Sequence, residues 1–217
     1  MSKYEIIFFD LDGTLTDPGQ GITNSVAYAL SKYGISVENK QELYKFIGPP
    51  LIVSFKTFYG FDEEKALEAI AYYREYYAQY GINECKLYDG MKELLQKLKE
   101  NGKTIALASS KPEAFAHRVL QNYDILKYFD FVGAASMDEK TRATKEAVLE
   151  HTISSLGITD RSRVVMIGDR HFDINGAKQF GLDSIGVLFG YGSEKELSEA
   201  GATYLAKDTS EIEKILL

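Results

Sequence analysis

The chain has 217 residues, of which 45% are hydrophobic and 26% charged, a composition typical of a globular protein with a sizeable core. Its formal net charge of −7 argues against a general nucleic-acid-binding surface. The single cysteine, Cys85, excludes an internal disulfide and is compatible with a reducing compartment. The sequence has no apolar run of membrane-spanning length, and its N-terminal apolar stretch is too short for a secretory signal. We therefore expect a cytoplasmic protein without membrane association.

The first predicted strand covers residues 4–9, an apolar run that stops at Asp10. The next seventy residues contain helical patterns and no convincing strand. Ile22, Val26 and Leu30 share one helix face, and residues 66–80 form a tyrosine-rich helical pattern. This composition predicts a small α-helical domain of residues 17–85, inserted into a main domain of residues 1–16 and 86–217.

The rest of the chain alternates short apolar strands with amphipathic helices. Met91, Leu94, Leu95 and Leu98 form the apolar stripe of one such helix. The predicted strands cover residues 104–108, 129–135, 164–167 and 184–189. Continuous apolar strands interleaved with helices predict an α/β fold with a doubly wound parallel sheet covered on both faces.

Three of these strands end in residues suited to phosphate chemistry, and ligands of open α/β sheets bind at that edge. The first is followed by Asp10-Leu11-Asp12-Gly13-Thr14, where two carboxylates flank one residue. The second ends at Ser109-Ser110-Lys111-Pro112, which we interpret as a phosphate-binding turn leading to a helix with proline in its first turn. The third is followed by Gly168-Asp169 and, four residues later, Asp173. Each segment alone is explained by a solvated loop or a helix cap, but all three together predict an active site.

These segments resemble the motifs of the haloacid dehalogenase-like superfamily. Asp10-Leu11-Asp12-Gly13-Thr14 is similar to the first motif, Ser109 to the second, Lys145 to the third, and Gly168-Asp169 with Asp173 to the fourth. The resemblance covers nearly the whole chain, including a helical cap after the first motif. It is strongest to the phosphoglycolate phosphatase-like branch, whose small bacterial members are often labelled 5'-nucleotidases.

The resemblance implies a Mg²⁺-dependent phosphatase with an aspartyl-phosphate intermediate. Asp10 would attack phosphorus, and Asp12 would protonate the leaving oxygen and later activate water. The metal ligands would be Asp10, the backbone carbonyl of Asp12, and Asp169, with Asp173 in support. The phosphate-binding residues would be Gly13, Thr14, Ser109, Ser110 and Lys145.

Asp12 also indicates which bond is broken, because an alkoxide leaving group needs a proton whereas a halide does not. We therefore expect cleavage of a phosphate ester in a small phosphorylated metabolite such as phosphoglycolate, a nucleoside monophosphate or a sugar phosphate. A cap leaves little space for a protein substrate. No nucleic-acid partner is expected, and the protein should be a monomer or a weak dimer.

Several alternatives stay open at this stage. Lys140 and Arg142 are rivals to Lys145 as the third-motif cation. A pyrophosphatase is one alternative enzyme. A sugar phosphomutase is another, although residues 16–25 lack the histidine that such mutases carry. A catalytically inactive ligand-binding module is the alternative from another class. His171 could face substrate, and the cap tyrosines Tyr72, Tyr73, Tyr76, Tyr77 and Tyr80 could stack on a nucleobase instead of packing in a core.

Overall fold

The apolar run before Asp10 forms a central strand of a parallel sheet in the computed structural model, which describes residues 3–138 and 140–217. The strands are β1 (Ile6–Phe9), β2 (Thr16–Asp17), β3 (Lys86–Leu87), β4 (Thr104–Pro112), β5 (Phe131–Ala135), β6 (Val164–Gly168), β7 (Asp183–Val187) and β8 (Tyr204–Ala206). The α-helices are α1 (Gly19–Ser31), α2 (Leu51–Tyr59), α3 (Glu63–Gln79), α4 (Met91–Glu100), α5 (Glu113–Asn122), α6 (Lys145–Ser155), α7 (His171–Gln179), α8 (Glu194–Ala200) and α9 (Thr209–Leu216). Short 3-10 helices cover Lys40–Phe46, Gly81–Asn83, Leu126–Tyr128 and Arg161–Arg163.

The chain divides into two units, Met1–Asp17 with Leu87–Leu217, and Pro18–Lys86. The larger unit contains the six-stranded sheet, in the order β5-β4-β1-β6-β7-β8, and each neighbouring pair of strands runs parallel. Side chains alternate between the two faces of a strand. Phe8 and Met166 belong to the core that α6 and α7 cover, whereas Ile7 and Val165 are equally buried. Both faces are therefore covered, and the predicted doubly wound α/β fold is confirmed.

The helices of this unit follow their apolar stripes. In α4, the predicted positions Met91, Leu94, Leu95 and Leu98 are all buried. Two helices that matter for the site have side-chain caps: the Thr144 hydroxyl accepts from Ala147 N at the start of α6, and the Ser193 hydroxyl accepts from Glu196 N at the start of α8. Such caps satisfy backbone donors that have no partner inside the helix.

The second strand of the sequence analysis was predicted to end too early. β4 continues to Pro112, because residues after Ala108 stay extended and pair with β5, with a shift in register between Ser109 and Pro112. Proline disfavours helical backbone in the residue before it, which keeps Lys111 extended. Pro112 is accordingly the residue before α5 and does not lie in its first turn.

The smaller unit is helical. Ile22, Val26 and Leu30 are buried on α1, which packs against α3 and ends at Ser31. The tyrosines of α3 and of the residue that follows it differ in burial. The rings of Tyr73 and Tyr77 are buried and stacked, with centroids 5.5 Å apart, whereas Tyr80 is 51% exposed. Tyr73 and Tyr77 therefore belong to the core of this unit.

Among the described residues, no helix combines the length and the apolar character that crossing a bilayer requires.

A close backbone approach inside the smaller unit generates the first prediction. A Cβ atom on Gly21 of α1 would lie 2.1 Å from the carbonyl oxygen of Gly81. We expect Gly21→Ala to lower the free energy of unfolding by about 1–3 kcal/mol, because backbone has to move apart to admit the methyl group. Urea unfolding measures this change. The control is Gln20→Ala at an exposed position of the same helix, expected within about 0.5 kcal/mol of wild type. Equal stability of the Gly21→Ala protein and wild type would contradict the close approach.

Candidate active site

The candidate site lies where the order of the sheet reverses. The chain passes from β1 to β4 and β5 on one side, and then returns to β6, β7 and β8 on the other. The carboxyl ends of β1, β4 and β6 are therefore neighbours at a topological switch point, the usual position of ligand sites in such sheets. Asp10 directly follows β1, Asp169 directly follows β6, and Ser109 lies in the carboxyl-terminal half of β4.

Lys145, the first residue of α6, connects three parts of the site. Its Nζ lies 2.8 Å from Asp10 Oδ1, 2.8 Å from the carbonyl oxygen of Ala108, and 2.8 Å from Asp173 Oδ1. The lysine side chain is 5% exposed. Burial alone would lower its pKa, but the ion pairs with Asp10 and Asp173 outweigh burial and raise the pKa, so the ammonium stays charged.

Three buried carboxylates lie together at this point. Oxygen atoms of Asp10, Asp169 and Asp173 all lie within 4.8 Å of one another. Burial, followed by the charges of Asp173 and Asp10, raises the pKa of Asp169 well above its ordinary value. Burial also raises the pKa of Asp173, although the Lys145 ammonium opposes the rise. The cluster therefore concentrates negative charge where water cannot solvate it.

Asp12 is not one of the three clustered carboxylates, and its own carboxylate is paired with Lys111. Asp12 Oδ2 lies 2.6 Å from Lys111 Nζ, and the lysine side chain is 4% exposed. Burial raises the pKa of Asp12, and the Lys111 ammonium partly offsets that rise. A raised pKa suits a group that has to deliver a proton near neutral pH.

Gly13 and Thr14 contact Asp169. A Cβ on Gly13 would lie 2.2 Å from Asp169 Oδ2, and Gly13 has a φ of +91°, so only glycine fits this turn. The Gly13 N–H donates to the Thr16 carbonyl at 2.7 Å, and the buried Thr14 hydroxyl lies 3.5 Å from Asp169 Oδ1. The phosphate-binding roles of Gly13 and Thr14 stay predictions, whereas their packing around Asp169 is observed.

The serines of the second motif lie on β4. Ser109 is 2% exposed, and its hydroxyl oxygen accepts from Lys111 N at 3.3 Å. This bond uses the oxygen as an acceptor and leaves the hydroxyl hydrogen to be donated elsewhere. Ser110 is half-buried. Phosphate binding by the two serines is not tested by these contacts and stays a prediction.

Of the rival cations, Arg142 bonds other groups and Lys140 is exposed. Arg142 Nε donates to the Ala134 carbonyl at 3.1 Å, and its Nη2 lies 2.8 Å from Glu113 Oε2. Lys140 is exposed. His171 is turned to Glu196, with Nδ1 2.8 Å from Glu196 Oε1, and a substrate contact by His171 stays a prediction.

Two contacts to the site were missed by the sequence analysis. Lys111 was quoted in the second motif without a role, yet it is the partner of Asp12. Tyr191, after β7, donates its N–H to Asp169 Oδ2 at 2.8 Å, and its hydroxyl bonds Asp17. Applying the strand-end rule to β7 as well would have pointed to the segment Gly190-Tyr191-Gly192.

The residues of the site fit a divalent cation. Four carboxylates, of Asp10, Asp12, Asp169 and Asp173, are matched here by two ammonium groups, of Lys111 and Lys145. The group therefore has two uncompensated negative charges when fully ionised. An oxygen-only ligand set of this kind suits a hard cation.

Comparison with known proteins decides the family. A family described as haloacid dehalogenase-like hydrolase matches residues 7–187. The chain belongs to this family. Several relatives are named as phosphatases. In agreement with them and with the family, the protein is a phosphatase of the phosphoric monoester hydrolase type.

Similar proteins are known under several names. The chain is 40% identical over 214 residues to a 5'-nucleotidase of Pseudomonas aeruginosa, covering 99% of this chain and 96% of that protein. It is 36% identical over 199 residues to the tyrosine-protein kinase PtkA of Mycobacterium tuberculosis, covering 92% and 67%. The crystal structure of a predicted phosphatase from Clostridium acetobutylicum is 45% identical, with a TM-score of 0.94 and 97% of each chain covered.

The contact between Gly13 and Asp169 generates a prediction for this haloacid dehalogenase-like enzyme. We expect Gly13→Ala to lower kcat/KM for phosphate-ester hydrolysis about 100-fold, because the added methyl group displaces the Asp169 carboxylate. The matched control is Gly201→Ala, which has the same backbone strain, with a φ of +90°, but only Lys178 Nζ within 4 Å of the new Cβ, at 3.9 Å. Equal activity losses in the two variants would attribute the effect to backbone strain and contradict the proposed role of the space at Gly13.

Proposed function

We propose that this chain is a Mg²⁺-dependent phosphatase that hydrolyses the phosphate ester of a small metabolite through an aspartyl-phosphate on Asp10. One observation carries the proposal: the Asp10 carboxylate shares a buried cluster with Asp169 and Asp173, and Lys145 bonds it directly. A carboxylate in this position has an ammonium group beside it, and together with Asp169 it could hold a metal ion.

In this proposal Asp10 attacks phosphorus in line, a bond forms between its carboxylate oxygen and phosphorus, and the ester bond breaks. Asp12 gives its proton to the leaving oxygen, which departs as an alcohol. Asp12 then takes a proton from water, and the resulting hydroxide attacks the phosphorus of the aspartyl-phosphate. Inorganic phosphate leaves, and Asp10 regains its carboxylate.

Ser109 and Lys145 would bind the oxygens of the transferring phosphoryl group, with Gly13, Thr14 and Ser110 in the surrounding turns. The position of Lys145 supports this assignment, because its buried ammonium lies 2.8 Å from Oδ1 of Asp10, the proposed nucleophile. Ammonium and hydroxyl donors stabilise negative charge on the equatorial oxygens in the transition state.

Mg²⁺ would be held by Asp10, Asp169 and the backbone carbonyl of Asp12, with Asp173 as a supporting group through Lys145. When bound, the metal would shield the anionic nucleophile from the anionic phosphate. We assign the backbone carbonyl of Asp12 to the metal because its side-chain carboxylate is already bonded to Lys111.

The proposed substrates are nucleoside monophosphates, phosphoglycolate and sugar phosphates. The resemblance to the Pseudomonas aeruginosa 5'-nucleotidase makes a nucleoside monophosphate the first to test. Base stacking by the half-buried Tyr72 and Tyr76 and the exposed Tyr80 stays part of the proposal, although the rings of Tyr72 and Tyr76 already pack against Tyr33 and Tyr28. We also propose a cytoplasmic monomer or weak dimer without a nucleic-acid partner, in line with the net charge of −7.

The test of the proposal is a phosphate-release screen over these substrates and pyrophosphate. We expect Asp10→Asn to reduce release at least about 1,000-fold, because the amide cannot act as the nucleophile. The matched control, Asp89→Asn, changes an exposed aspartate of the same unit and should keep wild-type activity. Full activity in Asp10→Asn would refute the mechanism, and no release from any substrate by wild type would refute the phosphatase assignment.

Removal of the metal gives a second measurement. Chelator treatment should abolish phosphate release, and Mg²⁺ should restore it. Mg²⁺ should also raise the melting temperature of the wild-type protein, because a ligand that binds only the folded state stabilises it. The Asp169→Asn variant should lose that stabilisation. Undiminished activity of chelator-treated protein would rule out the metal requirement.

A further inference from the structure

Glu196, in the first turn of α8, accepts three hydrogen bonds with a single oxygen. Its Oε1 lies 2.9 Å from Arg170 Nε, 3.0 Å from His171 N and 2.8 Å from His171 Nδ1. Because a carboxylate oxygen can only accept, Nδ1 of His171 has to carry the hydrogen. Bonds to a charged acceptor are about twice as strong as neutral ones. Glu196 therefore anchors both the side chains and the backbone of the segment Arg170-His171.

The segment that Glu196 holds connects the two carboxylates of the fourth motif. Asp169 directly precedes Arg170, and Arg170 N donates to Asp173 Oδ2 at 3.1 Å. A displacement of Arg170 would therefore move Asp169 through the peptide backbone and Asp173 through the hydrogen bond. The oxygens of Asp169 and Asp173 lie within 4.8 Å of each other and of Asp10, so small displacements change the ligand geometry.

Glu196 is itself well supported. Ser193 Oγ accepts from Glu196 N at 3.1 Å, and the neighbouring Leu197 is fully buried against Gly186 of β7. The loop that leads into α8 also contacts the motif, because a Cβ on Gly192 would lie 1.9 Å from the backbone oxygen of Asp169. The Glu196 carboxylate therefore extends from a helix that is capped and packed against the sheet. The segment that it contacts, Arg170-His171, follows Asp169, whose backbone packs closely against Gly192 in the loop before α8.

We propose that Glu196 is a positioning residue that holds Asp169 and Asp173 in the arrangement required to bind a divalent cation. The inference rests on the proposed function, since the cation is the one assigned there. The Glu196 carboxylate bonds Arg170 and His171, and through these two residues it acts on Asp169 and Asp173. Residues that orient metal ligands from behind typically contribute about 10- to 100-fold to metal affinity.

The experiment is a Mg²⁺ titration of the full-length protein, followed by thermal unfolding at each concentration. The measured quantity is the Mg²⁺ concentration that gives half of the maximal stabilisation. We expect Glu196→Ala to raise this concentration about 10- to 100-fold. Glu196→Asp keeps the charge but withdraws the carboxylate by one methylene group, and it should also raise the concentration. Hydrolysis of p-nitrophenyl phosphate at low Mg²⁺ should fall in both variants and recover at high Mg²⁺.

The matched control is Glu199→Ala, on the same helix one turn later. The Glu199 side chain is 69% exposed, and its ion pair with Lys195 spans 3.8 Å. This variant should titrate like wild type. If Glu196→Ala does not fold, Glu196→Asp decides the question alone.

Two outcomes overturn the inference. One is that the folded Glu196 variants need the same Mg²⁺ concentration as wild type for half-maximal stabilisation. The other is that Glu199→Ala raises this concentration as much as the Glu196 variants do. Wild-type protein that binds Mg²⁺ and releases phosphate while the Glu196 variants titrate normally would overturn this inference alone. Wild-type protein without any Mg²⁺-dependent stabilisation would overturn both this inference and the proposed metal requirement.

Discussion

The need to stabilise buried negative charge governs the architecture of the site. Asp10, Asp169 and Asp173 present oxygens within 4.8 Å of one another, and none of the three residues is more than 6% exposed. Carboxylates in such a place repel one another and lack water to solvate them, so they tend to take up protons unless cations are near. Lys145 supplies one cation directly. A divalent ion would neutralise the remaining negative charge, and the cluster is therefore suited to bind a metal.

The fold meets this demand by bringing distant parts of the chain to one edge of the sheet. β1 lies between β4 and β6, so the residues that follow β1 and β6 are neighbours although about 160 positions separate them. The first residues of α6 and α7 contribute Lys145 and Asp173. The regular parallel sheet therefore supplies the rigidity, and the residues just beyond the strands supply the chemistry.

Close backbone packing around Asp169 limits how far its carboxylate can move. Gly13 contacts it from one side, Tyr191 N donates to it from the loop after β7, and Gly192 covers its carbonyl. Side chains at either glycine would occupy space that Asp169 already fills. The same loop leads to Glu196, so the support of the site extends from β7 into α8. A site of this kind is defined by its backbone contacts as much as by its reactive groups.

The sequence by itself determined the fold class, the positions of the main strands and the identity of the chemical groups. Apolar runs ending in Asp10 and Asp169 are local signals, and a parallel sheet follows from their alternation with helices. Short elements such as β2, β3, β8 and α8 had too few residues to produce a periodic signal. Only the tertiary structure decided that Asp12 pairs with Lys111, that Thr14 and Tyr191 contact Asp169, and that Glu196 bonds Arg170 and His171. The physical reason is that these contacts depend on loop paths and side-chain directions between segments far apart in the chain, which no local pattern specifies.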